Sequence, residues 1–216
     1  MTEAAPTGVP AGTVIGLDAG LGGLHEADHL LLALAGQLPE VAFACTHRVP
    51  EAPGRIVLSL ALPDAVAAET ALDRLAASGG SPASLLPPGT HAVLGDRRLP
   101  LPGGADGRPA ATEGWGAARA AAAECAARTG GRAVVFPGSA DLPAVLAVGE
   151  VPERSAITAV EVLGGTPVDP AAALDTRNHL RPEWRDGALL LKLVPARGGY
   201  LPFDLPDPHP CCAAHG

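Results

Sequence analysis

Apolar residues recur along this chain in two periods, and the switches between them set out an order of elements. Thr13 to Leu17 (TVIGL) is a continuous apolar run of strand length. Asp18 to Gly23 follows as a glycine loop, which permits positive φ at three positions. From Leu24 to Ala35 the residues favour helix, with Leu24, Leu31 and Ala35 on one side and Gly36 as a stop. Leu30, Leu31, Leu32 and Leu34 make the second half of that helix apolar almost all round, which predicts burial. Val41 to Val49 and Arg55 to Leu62 form two strands joined by a turn, the pattern of a hairpin. Pro63 and Asp64 then open a second helix that runs to Ala77 and ends at Ser78-Gly79-Gly80. His91 to Leu94 and Arg97 to Leu99 flank a Gly95-Asp96 turn.

This βαββαβ order fits a ferredoxin-like split βαβ unit, with helices on one face of an antiparallel sheet. Beyond the loop-forming stretch Pro100 to Thr112 come an Ala-rich helix, Glu113 to Thr129, and a strand, Arg132 to Phe136. Further strands are expected at Ala156 to Leu163, Ala188 to Val194 and Tyr200 to Leu205, while Asp141 to Val148 suits a short helix or a strand equally. The expected class is α+β: a mainly antiparallel sheet with three or four helices packed on it, the N-terminal half ferredoxin-like. One domain covers 12–205, with any subdomain break at 100–112. Residues 1–11 form a flexible tail, and 206–216 an appended segment containing Cys and His.

Composition narrows the partners. Hydrophobic residues make up 47% and aromatics 3%, so the core is expected to be Leu, Val and Ala with little ring stacking. A net charge of −8 and the absence of any Arg-dominated window oppose nucleic acid as a partner. No apolar stretch approaches the roughly 20 residues that span a bilayer, and residues 1–12 lack a basic region followed by an apolar run, so no membrane role and a cytoplasmic location are expected. Four irregularly spaced cysteines agree with a reducing compartment.

The run His25-Glu26-Ala27-Asp28-His29 carries the sharpest chemistry. On a helix, positions i and i+4 share a face, so His25 and His29 could grip one divalent metal, zinc or another, with Glu26 or Asp28 as general base. The run is at once H-E-x-x-H and H-x-x-D-H, and it resembles zinc-hydrolase motifs over these five residues. The third ligand such a site needs could be Cys45 or His47, which share one face of the next strand, or Cys211, Cys212 or His215 from the end of the chain. The structural alternative is an acidic first helical turn with no metal. The glycine loop favours a geometric role over a phosphate seat, because Glu26 and Asp28 would crowd an anion.

Asp175 to Asp186 is the densest polar cluster. Arg177, His179, Arg181 and Trp184 could clamp a carboxylate or phosphate, form an internal ion-pair network, or meet a protein partner. The expected function is a small metal-dependent enzyme, hydrolytic, acting on an anionic or polar small molecule. Its alternative is a non-catalytic interaction protein without metal, docking through the Trp184 loop on another subunit or a second copy of itself.

Overall fold

The computed structural model of the chain describes residues 13–77, 82–101 and 114–205. Alternation along the first strand, β1 (Val14–Leu21), decides how the layers stack. Its Ile15 and Leu17 turn to one face and join a core with Leu31 and Leu34 of helix α1 (Leu24–Gln37) and Leu72 and Leu75 of α2 (Ala65–Ala76). Gly16 turns to the other face, where helix α3 (Gly114–Ala127) lies so close that a Cβ would sit 1.8 Å from the Ala118 carbonyl oxygen. Helices therefore cover both faces. The expectation of helices on one face alone holds for α1 and α2, and the small residues of α3 let it pack flat on the other.

Strands β2 (Phe43–His47), β3 (Ile56–Ala61), β4 (His91–Leu94) and β5 (Arg97–Pro100) complete the first half in the order β5-β4-β1-β3-β2, every pair antiparallel. With α1 and α2 in the crossovers this is the split βαβ arrangement. Asp64 starts α2 as its sequence predicts, its carboxylate accepting from the Ala67 N–H at 2.8 Å.

Strand β6 (Arg132–Val135) pairs with β2 and carries the same sheet into the second half. There β7 (Val145–Ala147), β8 (Ala159–Val162), β9 (Ala173–Asp175), β10 (Glu183–Arg185), β11 (Ala188–Ala196) and β12 (Gly199–Pro202) follow, with a one-turn helix α4 (Val151–Arg154). The order is β6-β10-β11-β12-β9-β7; β8 lies parallel to β11, and β9 parallel to β12. Carbonyls of Leu189 and Leu193 on one edge of β11 accept from Thr158 and Leu163, while Lys192 on the other edge accepts from Phe203. Antiparallel pairing to Lys192's edge thus brings the chain after β12 back beside β10 and β6, which sets Asp204 against Arg132.

Several elements depart from the pattern. The expected glycine loop is mostly strand, since β1 runs to Leu21, and only Gly20 within it has a positive φ, +70°. Asp18 accepts from the Gly20 N–H at 3.0 Å and from Arg55 at 2.9 Å, so a carboxylate occupies the place an anion would need. Helix α1 passes through Gly36, and Leu32, expected to be buried, is 47% exposed. Residues 1–12 and 206–216, and most of the 100–112 stretch, lie outside the described residues. No helix among the described residues is long and apolar enough to cross a membrane.

Candidate functional site

One face of α1 forms the wall of a cleft. Residues 25, 28, 29 and 32 fall together at the helical period, and they line a cavity of about 490 Å³ with residues of β6, of the loop before β10 and of the chain after β12. Glu26 is exposed and does not line the cavity, because one residue along a helix is a turn of about 100°.

Asp28 anchors the inner side of this cleft. Only 7% exposed, it accepts from Arg132 at 2.6 and 3.2 Å and from Arg181 Nε at 2.8 Å. Burial alone would raise its pKa, but the hydrogen bonds from Arg132 and Arg181 outweigh burial and hold the carboxyl below the ordinary value. Such a carboxylate is a poor proton acceptor. Arg132 Nε also bonds Asp204, so two arginines and two aspartates balance one another in charge.

At the open side, His25 and His29 meet edge on, with Nε2 atoms 3.1 Å apart and ring centroids 4.4 Å apart. His179 faces the same cavity. Its Nε2 is buried 3.7 Å from Asp204 and has no hydrogen bond, and its pKa is lowered by burial and then by the Arg181 charge. At neutral pH the imidazole is therefore uncharged.

Cys45 and His47 are elsewhere. Both stand on the α3 side of β2, while the neighbouring Ala44 faces the opposite way and joins the core that α1 builds. His47 Nδ1 bonds Glu124 at 2.9 Å and Nε2 bonds Ser59 at 2.8 Å, so its two nitrogens are occupied. This Glu124–His47–Ser59 chain has the distances of an acid–base–nucleophile relay. Ser59 is 0% exposed, however, and no substrate carbonyl can reach it. Cys45 is fully buried against Cys125; the hydrogen bond from that thiol and then burial push its pKa well up, which favours the protonated thiol.

The polar cluster divides. His179 and Arg181 enter the cleft, whereas Arg177 pairs with Asp175 at 2.9 Å beside a separate cavity. Trp184 is 6% exposed, with its ring 5.4 Å from Phe43 and beneath Arg128 at 4.8 Å. It builds core, although its edge borders a larger cavity of about 700 Å³ that shares Arg132, Arg181 and Asp204 with the first. Cys211, Cys212 and His215 lie outside the described residues. Among the described residues no group of three His, Cys, Asp or Glu side chains is arranged to hold a metal ion.

Arg132 and Asp204 were not singled out from the sequence. A usable signal was present: each is a lone charge against an apolar run, in RAVVF and YLPFDLP, and a charge folded with such a run must find a partner. No family model matches the chain, and no curated protein and no solved structure is significantly similar to it.

Proposed function

We propose that this protein is a small metal-dependent enzyme, hydrolytic in class, centred on the α1 cleft. His25 and His29 bind a divalent ion, zinc by donor type, and the arginine side of the cleft receives an anionic or polar small molecule.

The observation that carries this reading is the 3.1 Å separation of the two Nε2 atoms. Two nitrogens bound at 2.0–2.1 Å to one tetrahedral ion stand about 3.3 Å apart, so ligation requires only a small opening of the pair. A bound ion of this kind supplies Lewis acidity and acidifies water. Arg181 spends Nε on Asp28 and Nη1 on the Leu180 carbonyl, and its Nη2 makes neither bond, which suits it to orient an anion. Proton acceptance is assigned to His179, the neutral imidazole of the cleft. Glu26 lies off the cavity and Asp28 is committed to two arginines, so neither is given that role. The alternative, a non-catalytic interaction protein docking through the Trp184 loop, is less favoured because the Trp184 ring is buried.

The test is metal content of the purified untagged chain, after zinc loading and gel filtration, beside His25→Ala and His29→Ala. Near-stoichiometric zinc in the parent, lost in both variants with the fold intact by circular dichroism, is the expected result. A parent that retains no zinc, or variants that retain as much, would refute the metal site.

A further inference from the structure

We propose that the larger cavity, about 700 Å³, is a pocket for a phosphorylated small molecule whose dianionic phosphate sits between Arg48 and Arg185. The pocket stands apart from the metal, and it rests on the reading above only in that the bound molecule is then the substrate of the α1 cleft.

Sheet register brings the two arginines together. Strands β2 and β10 both pair antiparallel with β6, one on each side of it, so they run in the same direction. Thr46 and Glu183 both stand opposite Arg132, which puts these three residues on one face of the sheet. Arg48 and Arg185 follow two residues later, just past the end of β2 and at the end of β10, and both line the cavity. Two strand spacings, about 10 Å, separate their backbones, a gap that two long side chains can close around one anion.

Charge selects the ligand. Neither Arg48 nor Arg185 has an ion pair or a side-chain hydrogen bond among the described residues. The acids that border the cavity are already engaged: Glu183 accepts from Lys192, Asp204 from Arg132, and Glu124 is bonded to His47. Two guanidiniums without a counter-charge therefore share one cavity in a chain of net charge −8. A phosphate monoester carries about −1.5 to −2 at neutral pH and has three acceptor oxygens, enough for both forks, whereas a carboxylate neutralises only one. Phe203, exposed on the same cavity, offers an apolar surface for the organic part.

Isothermal titration calorimetry at low ionic strength tests this, on the full chain freed of metal by chelation and desalting. The probes are phenyl phosphate, inorganic phosphate and benzoate. The parent should bind phenyl phosphate one to one, and more tightly than either of the others. Arg48→Ala and Arg185→Ala should each weaken it by roughly tenfold or more, because charge-assisted forks are the strong hydrogen bonds. Arg98→Ala, on β5 and outside the cavity lining, should leave it unchanged. Phe203→Ala should bring phenyl phosphate down toward inorganic phosphate. All four side chains are exposed, so circular dichroism should show each variant folded. No saturable binding of phenyl phosphate by the parent, or binding retained in the Arg48→Ala/Arg185→Ala double variant, would overturn the pocket. Tighter binding of benzoate would overturn the phosphate assignment. Binding that appears only after zinc loading and is lost in His25→Ala would place the anion on the metal, which overturns this inference and leaves the metal reading intact. Arginine-dependent binding by a chain that retains no zinc would support the pocket and refute the metal site.

Discussion

Asp28 shows how far residue identity alone can be read. As one of two acids between two histidines it invites the role of base, and nothing local says that residues 104 and 153 positions later will take both its oxygens. The histidine pair was legible because i and i+4 is a local relation, whereas its arginine backing is set by long-range sheet pairing. Removing the Asp28 charge should therefore act on the fold. Asp28→Asn leaves Arg132 and Arg181, with side chains 12% and 9% exposed, short of a counter-charge. A loss of about 3–5 kcal/mol in urea unfolding at neutral pH is expected. Asp204→Asn should cost less, because that side chain is 32% exposed.

The pH dependence has a definite sign. Asp28 has a folded pKa below its unfolded one, so its contribution is complete above the unfolded value, about 4, and is lost as pH falls through the lower folded value. The stability gap between the parent and Asp28→Asn should accordingly close in acid. His179 behaves in the same direction at higher pH. Its lowered folded pKa means stability is retained above the unfolded value, about 6.5, and declines as pH falls below it. An NMR titration of the His179 ring should give a midpoint under that of a free imidazole; a midpoint at or above it would remove His179 as the neutral proton acceptor.

At the scale of elements, long periodic segments were legible and short ones were not. Helix α2 begins on its Asp64 cap, and the Gly95-Asp96 hairpin stands where the pattern puts it. Strands β9 and β10 have three residues each and lie within or beside the polar cluster, too short for a two-residue period to register. Their existence depends on pairing with β12 and β11, which no local window contains. Gly16 is the element-scale counterpart: the apolar run placed it in a strand, and the structure adds that its missing side chain admits α3. Gly16→Ala must push the Ala118 backbone away, and a drop of about 1–3 kcal/mol or more in thermal or chemical unfolding is expected. Gly22→Ala, where nothing lies within 4 Å of the added carbon, should be close to neutral.

For the whole molecule, the α+β class, the mainly antiparallel sheet and the ferredoxin-like first half followed from the order of elements, but the strand pairing that joins the two halves did not. The halves join where β2 meets β6, a pairing between strands some ninety residues apart. It also makes the cleft, because α1 packs against both β2 and β6 and so presents His25 and His29 beside Arg132, which opens β6. The site thus belongs to the junction of the two halves. A sequence window could show the two imidazoles but not what surrounds them.

The most direct test is X-ray absorption at the zinc edge of the loaded full-length chain. The account predicts two imidazole nitrogens at about 2.0–2.1 Å, recognisable by outer-shell ring scattering. A spectrum without imidazole scattering would contradict the assignment of His25 and His29 as ligands.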